Sequence, residues 1–151
     1  MKISTRTRYG VRTMLEIARS STEKGVFQKD IARKQEISVK YLDHIISALK
    51  TTNLICNAKG KKSGYMLGRD PSEITIFDIH RAFEPGICLV ECLSGKYKCD
   101  MDESCVTQGF WGQLNNLIIN YFKSVTLEDL MNNHIDIEDF NSLKTITSLQ
   151  D

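Results

Sequence analysis

The 151-residue chain is marked first by what it lacks. No apolar run approaches the roughly 20 residues needed to cross a bilayer, which excludes a membrane-spanning helix. The start, Met1-Lys2-Ile3-Ser4-Thr5-Arg6, has neither the apolar stretch nor the small-residue cleavage site of a signal peptide. The expected location is therefore the cytoplasm, where stable disulfides are rare. No glycine-rich phosphate-binding motif and no internal repeat are present. His44, His80 and His134 are scattered, and no cysteine stands in a nucleophile–base arrangement, so an enzyme is not the expected class. His80 falls beside the apolar stripe of its helix and reads as a packed histidine. Acidic residues are scarce in the first half: residues 1–69 carry 15 Lys/Arg against 5 Asp/Glu, whereas residues 70–151 carry 5 against 14. The net charge of +1 thus hides a basic half joined to an acidic one, the balance of a polyanion-binding module attached to something else. An apolar content of 41% is ordinary for a folded protein, and the length fits one domain with a helical extension.

What the chain does have is five cysteines, an odd number, three of them in the polar stretch Cys92-Leu-Ser-Gly-Lys-Tyr-Lys-Cys99-Asp-Met-Asp-Glu-Ser-Cys105. So few apolar neighbours cannot bury three thiols, which leaves a metal centre, a disulfide or a redox-active thiol. The odd count and the expected compartment favour metal over a disulfide framework. Thiolates suit zinc and iron–sulfur clusters alike, and both usually take four protein ligands. Lys96 and Lys98 add positive charge beside the loop. Cys56, in a strand, reads as structural.

The first helix is predicted from Ser4 or Thr5 to about Ser20, with Val11, Met14, Leu15 and Ala18 as its apolar stripe. Arg6, Arg8, Arg12 and Arg19 lie off the stripe and are expected to reach solvent or phosphate. Two helices follow in residues 28–49. Ile31 and the small Ala32 point inward on the first, and Ile37 plugs the turn. Ser38 caps the second, whose inward stripe is Leu42, Ile45, Ile46 and Leu49. Lys40, Tyr41, Asp43, His44 and Ser47 are left on other faces. This is helix-turn-helix spacing, with an ordinary helical hairpin as the alternative; Glu36 stands in the turn where glycine is common. Leu54–Ala58 and Gly64–Leu67 then read as two strands around a tip, Lys59-Gly60-Lys61-Lys62-Ser63, that forms a basic wing.

Asp70-Pro71-Ser72 breaks the chain where the charge balance changes sign. Thr75 caps a helix carrying Ile76, Ile79 and Phe83 that ends at Pro85-Gly86. Beyond the cysteines, a helix from about Thr107 to Ser124 repeats Trp111, Leu114, Ile118 and Tyr121 at intervals of 3 and 4, with Leu117 and Phe122 widening the stripe. So broad an apolar face needs a partner. Thr126 with Asp129 starts a short helix over Leu127–Met131. From Asn141 the chain reads as a polar tail.

These residues resemble the small winged-helix transcription regulators typified by IscR and NsrR, with IscR the nearer pattern. The resemblance rests on Arg8-Tyr9-Gly10-Val11, Ile37-Ser38 with Tyr41-Leu42, Ser63-Gly64-Tyr65-Met66-Leu67-Gly68, the cysteine triplet, Trp111 and Thr126-Leu127-Glu128-Asp129-Leu130, and covers about residues 1–133. It implies a mainly α fold with a small β-hairpin wing: a winged helix-turn-helix over residues 1–69, dimerisation helices with a cysteine-rich sensor loop (88–105) over 70–133, and a tail over 134–151. It implies a homodimer through Trp111, Leu114, Leu117, Ile118 and Tyr121, binding double-stranded operator DNA with two half-sites. The candidate DNA contacts are Ser38, Lys40, Tyr41, Asp43 and His44, with Lys59, Lys61 and Lys62 in the wing. Asp43 can accept a hydrogen bond from cytosine; the rival reading pairs it with Lys40 or leaves it in solvent. The resemblance further implies that Cys92, Cys99 and Cys105 ligate an iron–sulfur cluster, [2Fe–2S] ahead of [4Fe–4S]. Where relatives supply a fourth ligand, this chain has Gln108 or Arg8, so the fourth ligand is unassigned, with Cys88 and Gln108 as candidates. The alternative function is a cofactor-free DNA-binding regulator whose thiols act as a redox switch or bind a partner protein.

Overall fold

The computed structural model describes residues 2–20, 22–96 and 104–135. Cys99, Lys98 and the tail from Asn141 lie outside the described residues. Helix α1 (Thr5–Ala18) opens on Ser4, whose hydroxyl oxygen accepts the Thr7 N–H at 3.1 Å, and it buries Gly10, Thr13, Met14 and Ile17. Helix α2 (Gln28–Gln35) ends on Glu36, which adopts the left-handed conformation (φ 54°, ψ 43°) that the turn demands. That geometry costs a side-chain-bearing residue about 1–2 kcal/mol relative to the right-handed one, which explains why glycine is common there.

Arg12 is exposed, as its position off the stripe predicts, but it also has a partner within the chain. Its guanidinium forks onto Gln35, donating from Nε to Oε1 at 2.7 Å and from Nη2 to the main-chain carbonyl at 2.6 Å. A last-turn carbonyl of α2 would otherwise lack a partner, so Arg12 acts as a C-cap delivered from another helix. Glu16 accepts from Gln35 Nε2 at 2.8 Å and pairs with Lys34 at 3.2 Å, completing the brace between α1 and α2.

Helix α3 (Val39–Thr51) buries the predicted stripe of Leu42, Ile45, Ile46 and Leu49. Strands β1 (Ile55–Asn57) and β2 (Tyr65–Leu67) pair antiparallel, with Cys56 opposite Met66. Beyond the predicted hairpin, Val26 exchanges two backbone hydrogen bonds with Tyr65 (2.9 and 2.8 Å) and so ties the segment before α2 to the wing. Gly64 permits this approach: a Cβ there would lie 2.4 Å from the Val26 main chain. Gly64→Ala is therefore expected to destabilise the fold by about 1–3 kcal/mol through overpacking, read as a lowered unfolding midpoint; an unchanged midpoint would show that the wing base yields freely.

At the junction of the two charge regions, Asp70 accepts from the Ser72 hydroxyl at 2.5 Å and the Ser72 N–H at 2.9 Å, which hold its carboxyl below the usual range. Helix α4 (Ile76–Arg81) starts at a capping box made by Thr75 and Asp78 and is shorter than predicted. Phe83 lies past its end, with its ring so close over Gly10 that a Cβ there would meet it at 2.2 Å. Thr126 and Asp129 form a second capping box at α6 (Leu127–Asn132). The two helix starts run antiparallel, joined by Ile76 N–H to Val125 O (2.9 Å) and Leu127 N–H to Ile74 O (2.7 Å). Ile74, Ile79 and Leu127 thereby enter the same apolar cluster as Met14, Ile31 and Leu42. Helix α5 (Gln108–Ser124) is the exception, for none of its 17 residues is buried. No described helix is long and apolar enough to cross a membrane.

Candidate nucleic-acid interface and cysteine loop

The inward stripe of α3 anchors the helix so that its remaining faces are presented outward. Lys40, Asp43 and His44 are exposed, as is Ser38, whose hydroxyl oxygen accepts the Tyr41 N–H at 3.2 Å. The Ser38 hydroxyl proton remains available to a further acceptor. Tyr41 is only half exposed. Its ring meets Tyr9 edge-on at 5.8 Å, and Arg12 lies 5.2 Å over the Tyr9 ring, so Tyr41 helps hold α3 on α1. In the wing, Lys59, Lys61 and Lys62 are exposed, and Ser63 Oγ donates to Ala58 O at 2.5 Å across the tip. None of Lys40, Lys59, Lys61 or Lys62 is in an ion pair among the described residues. These four lysines are therefore uncompensated and in water, as electrostatic attraction of a polyanion requires.

Asp43 does not pair with Lys40. It is exposed, and its Oδ1 also accepts a hydrogen bond from the Gln28 side chain on α2. The period of α3 carries no sign of Gln28, whose only sequence signal is a long polar side chain at the first position of the preceding helix.

The cysteine loop is fastened to the rest of the fold before Cys92. Leu89 N–H donates to Asn115 Oδ1 on α5 at 2.9 Å, and Ile87 is buried. His80, 4% exposed, has Nε2 3.3 Å from Gly86 O and Nδ1 3.5 Å from the Thr7 hydroxyl, with the Phe122 ring of α5 edge-on at 5.7 Å. It is a packed histidine, and it also touches the loop, α1 and α5 at once. Cys92 sits half-exposed on a single 3₁₀ turn, Glu91–Leu93. Cys105, also half-exposed, lies just before α5 with Sγ 3.5 Å from Thr107 Oγ1. Gln108 opens α5, its N–H donating to Cys105 O at 3.3 Å. Cys88 is exposed and donates from Sγ to Val90 O at 3.0 Å. Among the described residues no three His, Cys, Asp or Glu side chains gather to hold a metal ion, so Cys88 does not join Cys92 and Cys105 there. Cys56 is exposed rather than packed, its Sγ 3.8 Å from Leu67 O.

Of the predicted partner-facing residues on α5, Trp111 (36%) and Leu117 (39%) are exposed and Leu114, Ile118 and Tyr121 half-exposed. The apolar surface extends past the predicted stripe to Phe110, 59% exposed and 4.9 Å from the Trp111 ring, and Val106, 95% exposed. At the other end of the helix, Tyr121, Phe122 and Val125 join Val11, Ile76, Leu130 and Ile135 around an apolar groove of about 220 Å³.

A family model for Rrf2, described as an iron-dependent transcriptional regulator, matches residues 3–133. The chain is 33% identical over 133 residues to the HTH-type transcriptional regulator IscR of Photorhabdus laumondii, spanning 88% of this chain and 80% of that one. It is 37% identical over 131 residues to the protein rrf2 of Nitratidesulfovibrio vulgaris, spanning 87% of each. Among solved structures, CymR, described as the global cysteine regulator of B. subtilis, superposes with a TM-score of 0.72 at 32% identity over 90% of this chain and 99% of that one. The IscR of T. potens superposes with a TM-score of 0.70 at 31% identity over 89% of both chains.

Proposed function

Because this chain belongs to the Rrf2 family of transcriptional regulators, and is thus a DNA-binding regulator rather than an enzyme, we propose that it grips a two-half-site operator as a homodimer under the control of an iron–sulfur cluster in its cysteine loop. The observation that carries the DNA-facing part is the contrast across α3, where the inward stripe is buried while Lys40, Asp43 and His44 stand in water beside a lysine-tipped wing. With α3 in the major groove, Ser38, Lys40, Tyr41, Asp43 and His44 come to the base edges and adjacent phosphates. Lys59, Lys61 and Lys62 meet the flanking backbone. In this division of labour residues 1–69 bind DNA, and residues 70–133 dimerise and sense.

The donor set fits a cluster in its chemistry. Cys92 and Cys105 offer accessible thiols on either side of Cys99, and soft thiolates are what iron–sulfur clusters take. Cys92, Cys99 and Cys105 would hold it, with the fourth ligand and the choice of [2Fe–2S] over [4Fe–4S] resting on Gln108, Cys88 or a group outside the loop. When bound, such a cluster supplies an iron centre sensitive to oxidants and small ligands. The chain's own part is to couple the loop to the DNA-binding end. Gly86 and Leu89 are hydrogen-bonded to His80 and Asn115, and His80 in turn reaches Thr7 at the start of α1. A change in loop conformation therefore bears on α1 and α5 together, shifting the spacing of two α3 helices across the dimer. The second reading is a cofactor-free thiol switch located in the cytoplasm, supported by the half-exposed, accessible thiols of Cys92 and Cys105.

The wing contribution is tested by salt dependence. Each lysine that contacts a phosphate should add about 0.9 to the slope of log K against log salt. Substituting Lys59, Lys61 and Lys62 by alanine one at a time is expected to lower the slope by about that amount each and to weaken binding to all sequences alike. A slope equal to the wild type in all three variants would remove the wing from the interface.

A further inference from the structure

Gln28 is tied to three partners through one carboxamide. Its Nε2 donates to Asp43 Oδ1 and to the Val39 carbonyl at 3.4 Å, while its Oε1 accepts the Tyr65 hydroxyl at 3.5 Å. The orientation of the amide follows from chemistry: an ionised carboxylate and a carbonyl accept only, so the nitrogen must face them and the oxygen must face the phenol. Asp43 is exposed on α3, fifteen residues away in sequence, and Tyr65 lies in β2 at the base of the wing.

We propose that Gln28 is a specificity-determining positioning residue, which fixes the Asp43 carboxylate on α3 so that it discriminates among bases in the operator. The proposal rests on the operator-binding reading above and deepens it. An unrestrained aspartate on a helix surface samples several rotamers and must be ordered when DNA arrives. Held by Gln28, it has one oxygen engaged and the second left to accept from an exocyclic amino group such as that of cytosine. Ordering the side chain in advance removes an entropic cost from the correct site alone, which widens discrimination without adding a contact. Gln28 thus acts through Asp43 and need not touch DNA. The Tyr65 hydroxyl steadies the amide from the wing side, so α2, α3 and the wing meet at one polar junction.

The test uses the full-length dimer as wild type, Gln28→Leu, Asp43→Ala and the double variant, each selected on a randomised duplex library. Affinities are then measured for two duplexes that differ by one base pair at the position where Asp43→Ala changes preference. Gln28→Leu is expected to reduce the wild-type preference roughly three- to tenfold while leaving the salt slope and the affinity for non-specific duplex unchanged. It should have no further effect in the Asp43→Ala background, which a merely structural role would not produce. Tyr65→Phe, which removes only a hydroxyl, should move the preference in the same direction by less, and it stands as the readout if Gln28→Leu folds poorly. A Gln28→Leu preference equal to the wild type, or one altered equally without Asp43, overturns the proposal. An unchanged preference in Asp43→Ala overturns base readout by Asp43 and the proposal with it. Failure of the wild type to select any sequence overturns the operator-binding reading itself.

Discussion

Alanine at Cys92, Cys99 or Cys105 is expected to turn a brown, anaerobically purified protein colourless and to lower bound iron and sulfide by more than about tenfold. The magnitude follows from comparison with outer contacts. Removing a group that merely orients a ligand costs about 10–100-fold in metal affinity, and losing a ligand should cost at least as much. The same variants should bind operator DNA equally before and after anaerobic reconstitution, whereas the wild type should respond. Cys88→Ala and Gln108→Ala bear on the fourth ligand. Cys88 is engaged with Val90 O and, among the described residues, does not gather with Cys92 and Cys105, so its replacement should leave the visible spectrum unchanged, and a shifted spectrum would make Cys88 the fourth ligand. Gln108 adjoins Cys105 through a helix-start hydrogen bond, and its replacement should shift the spectrum or the rate of cluster loss. A wild-type protein that stays colourless and iron-free after reconstitution would sink the cluster reading in favour of the thiol switch.

The second large effect is expected on α5. Leu117→Asp places a carboxylate in the apolar stripe at a position that is 39% exposed. If that stripe is the dimer seam, an unpaired charge buried there costs about 3–5 kcal/mol, enough to raise the dimer dissociation constant at least about a hundredfold. Sedimentation should then show monomer at concentrations where the wild type is dimeric. Operator affinity should fall by roughly 10²–10⁴-fold, because the second half-site loses the effective concentration that the dimer provides. The apolar cluster of α1, α3, α4 and α6 does not depend on Leu117, so secondary structure should survive. A Leu117→Asp protein that remains dimeric would move the interface elsewhere, with the groove between Val11, Tyr121 and Leu130 next in line.

Some features were legible because their causes are local. The stripe of Leu42, Ile45, Ile46 and Leu49 is a 3-and-4 repeat, and burial follows it. The starts at Ser38, Thr75 and Thr126 are legible because a hydroxyl that reaches the N–H three residues on depends on no distant partner. Other features were not legible because their partners are far apart in sequence. Arg12 is exposed, as expected off the apolar stripe, but its partner Gln35 lies 23 residues on and leaves no local mark. Asp43 is exposed too, and the Gln28 that bonds it belongs to another helix. The end of α4 was placed too late, because Phe83 continues the apolar spacing while its ring is held by the bare surface of Gly10.

By itself, then, the sequence determined the helix-turn-helix, the lysine-tipped wing, the capped helix starts and the broad apolar face of the helix around Trp111–Tyr121. Each of these follows from periodicity, capping or charge within a few neighbouring residues. Only the tertiary structure decided that Val26 joins the wing, that Arg12 closes α2, that Gln28 restrains Asp43 and that His80 spans the cysteine loop, α1 and α5. Such contacts form between side chains that the core brings together after the local elements exist, and a polar residue with several possible partners carries no local mark of which one it will meet.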